Sequence, residues 1–414
     1  MLAMVLTAVS YGRMAALYPS AGSVYTYAGR GLHPYAGFAS GWAMILEYGI
    51  NPLFSVMYAT LAIKEALPNF PFAVAAAVLA GGITYLNLRG VRYTARANEI
   101  LLFFMFLVLV AYVALAIRFI AVHQGYAHLY SSAPFYTPGT LHWSALARGT
   151  SFAALTYLGF DAVTTLAEDA HNPRRNVMLS AVLVVLFTGI FGGLLVYLAQ
   201  LVWPDYNSFR SIETAFVEVT GRVGGVSLFR ATAVLIIVAN IGGAITTQVA
   251  AARLLFGMGR DGVISPNFFG YLNPRNNNPT RNILLIGLIA YIGSMVMSYE
   301  VTAEILNFGA FLVFMGVNLA VTWQFWVRGV EGHQRRFVTD LLLPGLGFVF
   351  CALIWLGLGE AAMIAGGIWF LIGFGVLAVK TSAFRRPLQL PSVGGWVDPS
   401  APADFATGEA LETE

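Results

Sequence analysis

Long apolar stretches separated by short polar breaks run along almost the whole chain. Cutting at the charged and Pro/Gly-rich breaks leaves segments at 1–18, 34–63, 70–88, 99–121, 146–168, 177–202, 227–258, 282–299, 302–327, 339–358 and 361–380. Most match or exceed the roughly 20 residues a helix needs to cross the bilayer core, and none has the alternation over about 9 to 11 residues expected of barrel strands. The pattern predicts an all-α, polytopic membrane helical bundle of eleven spans. Residues 1–380 form one transmembrane domain on this reading, and 381–414 a tail with no room for a soluble domain.

The order of the segments carries a second signal. Residues 146–327 read as a span, a second span, a polar linker (203–226), a very long span and two more. Residues 1–121 repeat that order from the second member on, with the linker at 19–33 and the very long span at 34–63, while 339–380 adds two accessory helices. An odd-numbered unit repeated once predicts inverted-topology repeats. The first unit lacks its first helix, so a span preceding Met1 is expected to be missing from this chain.

Charge orients the bundle. If the loop after the first segment is cytoplasmic, 17 of the 23 Lys and Arg residues fall on that side, against 6 opposite. The positive-inside rule then predicts a multi-pass cell-membrane protein with a cytoplasmic C-terminus. Composition agrees, at 58% apolar and 10% charged, where a soluble domain has about 25% charged residues. A net charge of +3 is too balanced for a polyanion-binding surface, which excludes nucleic acid as a partner. One cysteine, Cys351, allows no internal disulfide.

An ionisable side chain in bilayer hydrocarbon costs at least about 2.5 to 3.5 kcal/mol on insertion scales, so deep carboxylates point to function. Asp161 lies well inside the 146–168 segment, two residues after Gly159, where a membrane helix unwinds most cheaply. The expectation is a break within about three residues of Gly159. Glu47 lies near the middle of 34–63; Asn51 shares its face, and Pro52 frees the carbonyl of Tyr48. Two such carboxylates suit a ligand with two cationic ends, or one cationic end and a proton. Pairing with a neighbouring helix is the alternative for each. Thr246, Thr247 and Gln248, beside Gly242 and Gly243, read as close packing or coordination of a coupling ion, and Asn240, Asn307 and Asn318 likewise.

Other patterns exclude. Gly257-Met-Gly259-Arg-Asp-Gly262 spells a dinucleotide fingerprint, but no strand precedes it. The spacing of His123, His128 and His142 fits no zinc site. With no H-E-x-x-H, nucleophile elbow or P-loop, neither an enzyme nor ATP-driven transport is indicated, and no cofactor is called for. A channel would need a ring of like pore-lining groups, which the sequence does not offer. Glu168, Arg174 and Arg175 follow the Asp161 segment into the cytoplasm, as loop charge or as a gate pairing with Arg13 or Arg30.

At these residues the chain resembles the amino acid, polyamine and organocation transporter family, which has the leucine-transporter type of fold. The likeness runs from Ser10-Tyr-Gly-Arg13 and Tyr18-Pro-Ser-Ala-Gly-Ser23 through Gly159-Phe-Asp161 and Asn172-Pro-Arg-Arg-Asn176 to Ala252-Arg-Leu-Leu-Phe and Gly259-Arg-Asp-Gly262. Gly159-Phe-Asp161 is most similar to the branch of amino acid permeases and putrescine importers. The resemblance implies twelve spans in the family, with substrate held between broken first and sixth helices and alternating access. The substrate's amino end would lie near Tyr157, Gly159, Phe160 and Asp161, and its distal end near Glu47 and Asn51. Asp161 would sense substrate or proton. The family's first helix is absent here, and Met105 stands near the position where some proton-coupled relatives carry a Lys. The reading is a secondary transporter, a symporter importing an amino acid or a polyamine such as putrescine with protons as driver. A transport-inactive fragment or scaffold is the alternative that the missing helix raises.

Overall fold

Helix covers each apolar segment that the sequence marks off. The computed structural model describes residues 1–18, 23–90, 95–136, 142–166, 173–260, 262, 264–274 and 278–381, and those residues contain helices and loops but no strand. The helices are α1 (Leu2–Leu17), α2 (Ser23–Gly31), α3 (Pro34–Ala66), α4 (Phe72–Leu88), α5 (Ala95–His123), α6 (Trp143–Ala154) and α7 (Pro173–Val202). They continue with α8 (Ala215–Arg260), α9 (Pro266–Phe269), α10 (Thr280–Val296), α11 (Tyr299–Val321), α12 (Leu343–Leu356) and α13 (Glu360–Lys380).

Six helical stretches among the described residues are long and apolar enough to cross a membrane: Glu99–His123, Arg175–Val202, Ala215–Arg260, Tyr299–Arg328, Phe337–Leu356 and Glu360–Lys380. Leu2–Leu17, Phe72–Leu88 and Thr280–Val296 are shorter apolar helices. α3 has 33 residues and carries Glu47, Asn51 and Pro52 in its middle. Two expectations need adjusting. The polar linker 203–226 is helical in its second half, because α8 begins at Ala215 and bends at Gly225, whose φ of +65° only glycine adopts freely. The 146–168 segment is not one continuous helix, as described below.

α3 is the axis of the bundle. It packs against α8 and α11 most extensively, and also against α2, α10 and α4. α1 packs against α7, α12 and α11, so that α11 stands between the two groups. α5 lies against α8 and α7, and its exposed face of Leu102, Phe103, Phe106, Leu107 and Val110 is what a lipid-facing helix presents.

Buried polar side chains tie these helices together. Gln248 of α8 donates through Nε2 to the hydroxyl of Thr84 (3.0 Å) and the carbonyl of Ile283 (3.0 Å), and accepts from Asn87 (2.6 Å). Asn318 of α11 accepts from Ser10 (2.7 Å) and donates to Thr7 (3.0 Å), which fixes α1. Trp42 and Trp369 stack at 4.8 Å, and each indole N–H donates to the other's carbonyl, at 2.8 and 2.9 Å, which joins α13 to α3.

The cytoplasm-assigned end of α1 is held by charge. Asp340, fully buried, accepts from Arg13 (2.6 Å), His333 (2.9 Å), the Arg336 N–H (2.7 Å) and Thr339 (2.9 Å). Arg13 also donates to the Thr339 carbonyl and lies 4.0 Å from the Phe325 ring centroid. Removing one member of a buried ion pair strands the other and costs about 3–5 kcal/mol. Asp340→Asn should therefore lower the melting temperature of the detergent-solubilised protein markedly, as read by loss of the monodisperse peak on heating. An unchanged melting temperature would show that the cluster contributes little.

Candidate functional site

The segment that starts with α6 gives way in the middle of the bundle. α6 ends at Ala154, a 3-10 turn covers Leu155–Tyr157, Leu158 is extended (φ −59°, ψ 135°), Gly159 takes φ +96°, and a second 3-10 stretch spans Phe160–Leu166. The break falls at Gly159, as expected from the sequence. A Cβ at Gly159 would meet nothing within 4 Å, so backbone conformation and not space is what demands glycine there.

Unwinding leaves backbone groups to be satisfied inside the bundle. Asp161, 2% exposed, meets that need: its carboxylate accepts from the backbone N–H groups of Asp161, Ala162 and Gly159. The Tyr11 hydroxyl approaches the same carboxylate without completing a hydrogen bond of good geometry. Glu47 of α3, 4% exposed, lies within electrostatic reach of Asp161, and its Oε2 has no hydrogen-bond partner. Two carboxylates this close and this dry repel one another, and a proton or an ammonium group between them relieves the repulsion.

Beside this pair lies a cavity of about 260 Å³, lined by Asn51, Phe54 and Ser55 of α3, Leu155 and Leu158 of the broken segment, Ala239, Asn240 and Gly243 of α8, and Leu306 of α11. Its volume suits a small molecule. The Asn51 Oδ1 accepts from Thr247 (3.1 Å) and weakly from Ser55 (3.4 Å), which orients the amide at the cavity wall. Above it, α6 is held to α11 by a polar ladder. Arg148 pairs with Glu300 (2.7 Å) and Glu304 (3.4 Å), and Asn307 donates to the Ser151 carbonyl (2.7 Å).

The structure thus brings Glu47, Asn51, Gly159 and Asp161 to one region. Phe160 is there too, but packed: its ring meets Tyr11 at 5.5 Å and Phe314 at 5.2 Å. Tyr157 turns the other way, toward Gly189 of α7, and lines an apolar groove with Met1, Thr188 and Gly192 instead of the cavity at Asn51. Glu168 and the Arg174 side chain lie outside the described residues, Arg175 is exposed, and Arg13 is engaged by Asp340. Gln248, Asn307 and Asn318 serve helix packing. Sequence reasoning missed Tyr11, Tyr27 and Tyr48, all near Asp161. Tyrosine is common in membrane helices near the interfaces, so composition gave no signal for a tyrosine at the centre.

The pattern of the family described as amino acid permease matches residues 1–376. The chain belongs to that family. It is 30% identical over 389 residues to the low-affinity putrescine importer PlaP of Escherichia coli (strain K12), covering 94% of this chain and 86% of that one. It is 25% identical over 402 residues to the branched-chain amino acid permease BcaP of Bacillus subtilis (strain 168), covering 90% and 82%. It is 28% identical over 345 residues to the mitochondrial cationic amino acid transporter 3 of Arabidopsis thaliana, covering 76% of this chain and 54% of that one. Membership makes the chain a membrane transporter and not an enzyme, which fits a broken helix beside a small polar-walled cavity.

A side chain forced into the Gly159 conformation is strained by about 1–3 kcal/mol. Gly159→Ala should lower thermal stability and uptake together. Gly257→Ala, in a regular part of α8 with open space around it, serves as control and should change neither.

Proposed function

We propose that this chain is a proton-coupled importer of amine-bearing small molecules, amino acids or a polyamine such as putrescine, working by alternating access. The observation that carries the reading is a second buried acid, Glu47, within electrostatic reach of Asp161 at the break of its helix, with its Oε2 lacking a partner. Asp161 takes the proton while the backbone groups freed at the break hold the substrate ammonium, so both cross in one occupied state and are linked thermodynamically. Glu47 and Asn51 face the distal end of the substrate, with Gly159 and Phe160 shaping the floor of the site. Glu168, Arg174 and Arg175 form the cytoplasmic gate.

The helix pairing supports a bundle of inverted repeats, 1–121 and 146–327, which we read as eleven spans with two accessory helices and a cytoplasmic tail after the second repeat. α1 packs on α7, α3 on α8 and α4 on α10, which are the members that correspond when the two units are aligned. The excess of Lys and Arg on one side supports a cytoplasmic C-terminus.

Uptake of labelled putrescine, arginine and leucine into proteoliposomes, each with and without an inward proton gradient, tests the function. Gradient-stimulated uptake of at least one is expected, and no uptake of any would favour a transport-inactive scaffold. Asp161→Asn should flatten the pH dependence of uptake. Glu47→Gln should weaken putrescine by more than leucine, by about tenfold if a charge-assisted contact of about 1.5 kcal/mol is lost. Equal effects of Glu47→Gln on both would remove Glu47 from the distal site.

A further inference from the structure

Three buried polar oxygens near the helix break have no hydrogen-bond partner: Glu47 Oε2, Tyr11 Oη and Tyr27 Oη. Buried polar atoms almost always find protein or ordered water, so three in one neighbourhood mark a place that water or a proton occupies. Glu47 is accounted for by the substrate site. The two phenols are not.

Their placement has a direction. Tyr11 of α1, fully buried, lies beside the Asp161 carboxylate, and its ring stands edge-on to Phe160. Tyr27 of α2, also fully buried, is edge-on to Tyr11 with ring centroids 6.4 Å apart. It neighbours Thr164, whose hydroxyl donates to the Asp161 carbonyl at 2.7 Å. α2 follows the end of α1 on the side that the positive-inside rule assigns to the cytoplasm. The groups facing Asp161 are Tyr11 from α1, Tyr27 from α2, and Glu47 and Tyr48 from α3.

We propose that Tyr11 and Tyr27 form a hydroxyl relay that carries the proton from Asp161 to the cytoplasm. The relay rests on the proton-coupled reading of Asp161. The O–H bond of the Asp161 acid breaks and its proton passes, directly or through one water, to the Tyr11 oxygen. Tyr11 gives up its own proton to Tyr27 through bridging water, and Tyr27 gives its own to water on the cytoplasmic side. Asp161 ends as a carboxylate, one proton leaves, and both phenols are restored. Neither tyrosine has to persist as phenolate.

The test compares two assays of the full chain in proteoliposomes with putrescine, and leucine in parallel, for wild type, Tyr27→Phe and Tyr11→Phe. One assay is accumulation driven by an inward proton gradient. The other is counterflow at equal pH on both sides, which exchanges substrate without net proton release. Phenylalanine keeps the ring packing and removes only the hydroxyl. Losing a proton-transfer group costs about tenfold or more, so gradient-driven accumulation should fall by that factor in Tyr27→Phe while counterflow stays near wild type. Equal loss in both assays for both variants would assign the tyrosines to structure alone and overturn the relay. Unchanged accumulation in both variants would also overturn it. Wild-type accumulation indifferent to the gradient would instead overturn proton coupling itself, and the relay with it.

Discussion

No backbone N–H or C=O can face hydrocarbon without a partner, and the architecture of this bundle follows from that constraint. A helix interrupted at Leu158 and Gly159 is tolerable only where other helices surround it. The carboxylate of Asp161 is drawn to the break because it satisfies N–H groups that the helix has abandoned. Its burial then imposes the next requirement, since a carboxylate there needs a cation, a proton or a dipole nearby. Glu47, a second buried acid with one oxygen unpartnered, sharpens that requirement. The break, the acid and the opposing acid form one causal chain.

What can move is decided by where the polar ties are buried. Gln248 and Asn87, at 1% and 2% exposure, bind α8, α4 and α10 into a block whose separation would leave several polar groups unpaired in a dry interior. α6 is fastened differently. Its outer tie, Arg148 to Glu300, has both side chains 53% exposed, and such pairs are worth about 0–1 kcal/mol. Deeper in, the bond from Asn307 to the Ser151 carbonyl is buried, so only the outer end of α6 can part from α11 cheaply, while α4, α8 and α10 stay joined.

Much of this was legible beforehand. Apolar runs located the helices, and Gly159 followed by a membrane-embedded acid located the break, because glycine and carboxylate are both costly there without a purpose. The pairing of Glu47 with Asp161 was legible only as two deep acids. Their proximity depends on how α3 packs against the broken segment, which no local pattern encodes. Tyr157 was misread by proximity in sequence: a 3-10 turn rotates it toward α7, whereas regular helix spacing would have kept it with Asp161. The tyrosines of α1 and α2 were invisible for another reason. An aromatic hydroxyl is at home in almost any membrane environment, and only the tally of unpaired atoms in the folded interior singles it out.

The clasp between Arg13 and Asp340 spans nearly the whole chain and sets an order on biogenesis. Arg13 leaves the ribosome more than three hundred residues before its counter-ion. Until the α11–α12 hairpin has been inserted, the guanidinium can only snorkel to the headgroups, and the cytoplasm-assigned end of α1 remains unanchored. Closure of the clasp therefore reports that the late helices have arrived and are in register. A nascent chain arrested before residue 340 would leave Arg13 without this counter-ion at the membrane face.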